Sequence, residues 1–205
     1  MEESTARRFG AGCLTGAVAL TGAVLQVAYG VLACVWTYPR ITDQPFEVVW
    51  GLATLGMIAS VLTWLAIGVT RPRRLAITGG ALAIAGFAAR FVISVVIVAD
   101  PRIDTDTASV AAAIPVTIVL MFGGLALLGI ATRRAHRLDG TAAWAPLLVL
   151  AAGLVAAPFY SFDRLVHFIL LGLLWGSAWL YMALIGYQHV TADIVAGAPQ
   201  PSAVA

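Results

Sequence analysis

Apolar residues run along this chain in long unbroken stretches, and the charges between them are bunched. Charge-free stretches cover 9–39, 48–70, 107–132, 140–162 and 165–192, and a sixth, 75–99, holds Arg90 as its one charge. A helix needs about 20 apolar residues to cross the ~30 Å hydrocarbon layer of a bilayer. Each stretch reaches that length. The runs lack the alternation of a barrel strand, and a helix satisfies its own backbone hydrogen bonds where water is absent. The pattern therefore predicts an all-α fold, a polytopic bundle of six transmembrane helices forming one domain over residues 1–190. The expected spans are about 9–37, 47–70, 75–99, 108–132, 142–159 and 164–188. Residues 191–205, small, polar and proline-containing, read as a disordered tail.

Composition agrees with that pattern. Of 205 residues, 61% are hydrophobic and 11% charged, against about 25% charged in an ordinary soluble domain. So few polar groups cannot cover the surface of a water-soluble globule. A soluble enzyme, a nucleic-acid binder and a secreted disulfide scaffold are excluded on that ground, and the lipid bilayer is the expected surroundings.

All twelve basic residues are arginines, and their distribution orients the chain. Arg7 and Arg8 precede the first span, Arg71, Arg73 and Arg74 follow the second, and Arg133, Arg134 and Arg137 follow the fourth. The alternate loops hold one each, Arg40, Arg102 and Arg164. The positive-inside rule puts both termini in the cytoplasm. The opposite loops are acidic, with Asp43, Glu47, Asp100, Asp104, Asp106 and Asp163. A lysine-free chain rich in Ala, Gly, Val and Arg fits a high-GC bacterial genome, so the expected location is a bacterial cytoplasmic membrane.

Arg7-Arg8-Phe9 and Val31-Leu32-Ala33-Cys34 match targeting signals only loosely. The first apolar run is about twice a signal h-region, which predicts an uncleaved first helix. Cys13 and Cys34 lie 21 positions apart in that helix, roughly 30 Å at helical rise, too far to bridge. No metal-ligand spacing is present, no cofactor motif appears, and neither metal nor cofactor is expected.

In lipid, helices associate through close backbone approach. The first helix has a stripe of Gly12, Gly16, Ala19, Ala23, Gln26, Gly30 and Ala33, and the third has Gly79, Ala83, Gly86, Arg90 and Ser94 on one face. The sixth holds Gly172 and Gly176. Such stripes mark contacts within the chain or with a second copy or partner subunit, through the Gly12/Gly16 or Gly172/Gly176 faces. Pro115, Pro146 and Pro158 read as lying near helix ends, where proline costs little. Trp36, Tyr38, Trp50 and Tyr160 fall near the outer boundary, and Trp64, Trp144 and Tyr187 near the inner one, as an aromatic belt. Trp175 and Trp179 fall mid-span, as lipid-facing or interhelical filler or as lining of an apolar cavity.

Arg90 is the chief chemical signal. A charge that deep costs about 2.5–3.5 kcal/mol on insertion scales, so a partner or water is expected. Arg90 either faces a polar pocket or snorkels outward to an interfacial acid. Glu47, Asp163 and His167 lie on the same outer side, with Gln26, Tyr29, Trp50 and Ser94 at related depth. Glu47 and Asp163 also suit helix starts, with Ser161 as a plausible cap. These residues define a candidate ligand pocket of Arg90, Gln26, Tyr29, Trp50 and Ser94. They also define a catalytic set, Glu47, Asp163 and His167, that applies if the protein is an enzyme.

Three functions follow. The first is a non-enzymatic accessory protein or binder of a small apolar, lipid-like molecule. The second is an intramembrane enzyme performing acid-initiated cyclisation or isomerisation, with Glu47 or Asp163 as acid. The third is a small proton-coupled transporter. No Ser-centred hydrolase pattern, phosphate loop or metalloprotease motif is present.

Overall fold

The computed structural model describes residues 2–35, 44–100 and 102–197. Trp36, Tyr38, Arg40, Asp43 and residues 198–205 lie outside it, as do the side chains of Arg7, Arg8, Cys13, Cys34, Tyr160, Ser161 and Arg164. The described chain is all-helical: α1 Glu2–Val35, α2 Gln44–Ala66, α3 Arg73–Ala99 and α4 Ala108–Ala135. A single-turn stretch, Gly140–Trp144, leads into α5 Ala145–Ala156 and a short α6 Phe159–Phe162. The last span consists of α7 Arg164–Leu170, a wide π-turn at Leu171–Trp175, and α8 Gly176–Gly197.

Among the described residues five stretches are long and apolar enough to cross a membrane, and Gly140–Ala156 is a shorter apolar one. The chain is a multi-pass helical membrane protein. The end of the bundle bearing the α3–α4 connection is termed outer below, after the arginine distribution.

The expected span limits shift where local chemistry dictates. The second span, read as 47–70, starts at Gln44 and stops at Ala66. Gly68 follows with φ +67°, a left-handed conformation that ends helices and suits glycine. The turn after it docks on α4, with the Arg71 N–H donating to the Ala131 carbonyl at 2.9 Å. The fifth span is not a full-length helix. Its α-helical part has 12 residues, about 18 Å at helical rise, with Pro146 in its first turn where no N–H is needed. At the other end of the chain, helix persists through Gly197, so residues 191–197 of the expected disordered tail are helical. No proline interrupts them, and Thr191 Oγ1 donates back to the Tyr187 carbonyl at 3.0 Å.

Packing follows the small residues. Gly22 meets Gly56 between α1 and α2, and Gly79 meets Gly124 between α3 and α4, so closely that a Cβ on either partner would overlap the facing backbone. Gly30 packs on Gly172 in the same way. Gly16 lies against Tyr187, and Gly176 against Val27. The Gly16 and Gly172/Gly176 faces are thus occupied within the chain by the antiparallel pairing of the first and last spans. Gly12 lies outside the described contacts.

Two aromatic positions differ from the belt reading. Trp64 is 0% exposed, and its Nε1 donates to Thr132 Oγ1 at 2.9 Å. The polar indole edge found a hydroxyl on α4, so the ring turned inward. Trp50 is also buried. Trp144, by contrast, is 46% exposed, with the Arg133 guanidinium 4.1 Å above its ring, as suits a residue at an interface.

Candidate functional site

Arg90 projects outward along α3. Its Nη1 donates to Ser94 Oγ one turn on, at 2.7 Å, and its Nη2 donates to both carboxylate oxygens of Glu47, at 3.2 and 3.1 Å. Ser94 Oγ in turn donates to Glu47 Oε2 at 2.9 Å. Glu47 stands in the first turn of α2, and its side chain is 11% exposed against 12% for Arg90. Arg90 thus pairs with an acid in the first turn of α2, and both groups line a cavity.

That cavity has a volume of about 450 Å³, within the range of small-molecule sites. Its outer end is polar, with Glu47, Arg90, Thr105, Asp106 and His167. Its length follows α4 from Ala111 through Ile114, Pro115 and Ile118 to Met121 and Phe122, about 16 Å of helix. Tyr29, Trp50, Phe168, Leu171 and Trp175 complete the opposite wall. Beneath it Phe87, Leu125, Trp179 and Met182 are all within 1% of full burial, which closes the inner half of the bundle.

The wall is a connected set of rings. Trp50 stacks on Trp175 with centroids 6.0 Å apart, and Tyr29 sits 5.4 Å from Trp50. Phe122 meets Trp175 edge-on at 6.5 Å. The Arg90 guanidinium lies 5.4 Å from the Trp50 ring centroid. Gly153 lets these rings close up, because a Cβ there would lie 2.6 Å from Phe122 Cζ and 3.1 Å from Trp175 Nε1. The indole N–H groups of Trp50, Trp175 and Trp179 are buried with no acceptor among the described residues, and such a group costs about 1–3 kcal/mol.

Two of the spans that line the cavity carry a local irregularity beside it. Pro115 lies inside α4 rather than near its end. It lacks the N–H that would bond the Ala111 carbonyl, and both residues line the cavity. The helix nonetheless continues to Ala135. Across from it, the π-turn at Leu171–Trp175 adds a residue to the turn, which loosens the backbone ladder. Turns of this kind are common at functional sites. Gln26 of α1 steadies it, its Nε2 donating to the Leu171 carbonyl at 3.2 Å.

Of the residues chosen from sequence, Arg90, Glu47, Tyr29, Trp50 and His167 line the cavity. Ser94 lies behind the lining and braces Glu47, and Gln26 lies behind it and braces the π-turn. Asp163 is set apart. It is exposed, and its Oδ1 accepts from the Val166 N–H at 3.1 Å as the N-cap of α7. Asp163 therefore takes the capping place that Ser161 was expected to fill. His167 Nδ1 lies 2.8 Å from the Ala156 carbonyl, tying the last span to the end of α5.

Sequence reasoning missed Thr105, Asp106, Ile118, Met121, Phe122 and Gly153 as lining residues. Pro115 inside a helix was the one local signal. Trp175 joins the cavity as one of the two readings allowed, while Trp179 packs edge-on against Phe87 at 5.4 Å as core. Among the described residues no group of three or more His, Cys, Asp or Glu side chains is placed to hold a metal ion. Comparison with protein-family models, with curated proteins and with solved structures finds no match.

Proposed function

We propose that this protein binds a small, largely apolar, lipid-like molecule in the outer-half cavity and holds it without chemical change, in a bacterial cytoplasmic membrane. The observation that supports this is the cavity's polarity gradient: polar groups at the outer end, rings and aliphatic side chains along the length. An amphiphile entering apolar end first matches that gradient. The packed floor of Phe87, Trp179 and Met182 favours retention over passage to the other side, and so speaks for a binder rather than a carrier.

Solvent extraction of the purified protein, followed by mass spectrometry, tests the reading. The wild-type chain is expected to release a lipid-like molecule in near-stoichiometric amount. Ala111→Trp, which fills the cavity from an exposed position on α4, is expected to fold in normal yield and release little. Equal release from both proteins, or none from either, overturns the proposal.

The presence of Glu47 and His167 on one cavity favours a second reading, an intramembrane enzyme on an apolar substrate, with Glu47 as acid and Arg90 stabilising developing negative charge. Conversion of the retained molecule, abolished in Glu47→Gln at unchanged folded yield, would replace the binding proposal with this one. Asp163, a cap outside the cavity, has no part in it.

A further inference from the structure

The hydrogen-bonding groups around the cavity are unequally used, and that imbalance bears on ligand chemistry. Every oxygen of Glu47 already accepts, from Arg90 and from Ser94. A guanidinium has five N–H donors, and Arg90 commits only Nη1 and Nη2, to Ser94 and Glu47. Among the described residues its Nε–H and a further Nη1–H have no acceptor, and Arg90 lines the cavity. The indoles of Trp50 and Trp175, 9% and 2% exposed, line the same cavity with no acceptor for their N–H groups. Trp50 also lies under the guanidinium, so these two groups share one corner, whereas Trp175 Nε1 lies beside Gly153 of α5. The charge of the guanidinium is offset by its paired carboxylate, and Asp106 adds a further acid at the same outer end.

Resting on the binding function proposed above, we infer that the ligand is an uncharged amphiphile whose polar group is a hydrogen-bond acceptor of the carbonyl type. A ketone, an ester or a quinone has this chemistry. Arg90 donates to that oxygen, with the Trp50 indole as a neighbouring donor. Glu47 sets the preference for a neutral group, since it offsets the charge that would otherwise draw a carboxylate. The aliphatic or isoprenoid remainder lies along Ile114, Ile118 and Met121.

The test uses the full chain in phosphatidylcholine nanodiscs and three probes of similar length: methyl undecyl ketone, tridecane and dodecanoate. The ketone is isotopically labelled at its carbonyl carbon. Its bound carbonyl resonance is expected to move downfield, as a hydrogen-bonded carbonyl does, and the ketone is expected to bind about five- to tenfold more tightly than tridecane, the worth of a net hydrogen bond. Trp50→Phe, which keeps the ring and drops the N–H, should lower ketone affinity and leave tridecane unchanged. In Glu47→Gln the order should reverse, with dodecanoate gaining about tenfold from an unpaired guanidinium.

Equal binding of ketone and tridecane, or tighter binding of dodecanoate by the wild-type chain, overturns this inference and leaves the binding function standing. Failure of all three probes, together with no molecule released from the purified protein, overturns the binding function itself. The carbonyl shift is read on the wild-type protein, so the inference stays testable where a variant fails to fold.

Discussion

Arg90 holds Glu47 through Nη2 at 3.1 and 3.2 Å, joining the outer ends of α2 and α3 with two charges that are each nearly buried. Removing one partner leaves the other stranded, and breaking a buried pair costs about 3–5 kcal/mol. Arg90→Ala and Glu47→Ala should each lose about that much in a denaturant titration from mixed micelles. The double variant Arg90→Ala/Glu47→Ala, which removes both charges, should lose clearly less than the two single losses summed. A double variant no more stable than the sum of the singles predicts would show that the pair is uncoupled.

Gln26 is fully buried, and its one described bond runs to the Leu171 carbonyl at the start of the π-turn. Gln26→Leu removes the donor to the Leu171 carbonyl but also the buried Oε1, which has no partner among the described residues, so the two effects should offset to within about 1 kcal/mol. It should also let Trp175 leave its stacked position on Trp50. Tryptophan emission compared between Gln26→Leu and the same change in a Trp175→Phe background would detect that movement. Identical difference spectra in the two backgrounds would mean that Gln26 does not position Trp175.

Gly172 and Gly123 have opposite surroundings. A Cβ on Gly172 would overlap the Gly30 backbone, whereas one on Gly123 meets nothing within 4 Å. Gly172→Ala should therefore separate the first and last spans and cost 2 kcal/mol or more on the order of an overpacked core. Gly123→Ala should stabilise by about 0.5–1 kcal/mol, because alanine loses less entropy in a helix. Thermal melts of the two variants check this, and similar shifts for both would contradict the packing described.

The lipid bilayer makes some features readable one residue at a time. The length of a charge-free run reports a span because the hydrocarbon layer has a set thickness and excludes charge. That is why six helical segments, the depth of Arg90 and the small-residue stripes were all legible before any coordinates. The roles of Glu47, Arg90, Tyr29, Trp50 and His167 as neighbours followed from depth alone, since helices crossing one membrane bring residues of equal depth together.

Depth does not say which way a side chain turns about its helix axis. Trp64 looked like an interfacial residue and is core, because Thr132 of another helix offers its indole an acceptor. Asp163 shared the depth of the site and lies outside it, because the backbone of α7 claimed its carboxylate as a cap. The π-turn that carries Trp175 into the cavity is bonded by a glutamine 145 residues away in sequence, a contact no local pattern encodes. The sequence by itself determined that this chain crosses a membrane as a bundle and where its few charges lie in depth. The tertiary structure decided which of those groups face one another, because azimuth is set by packing against neighbouring helices, while depth is set by the solvent.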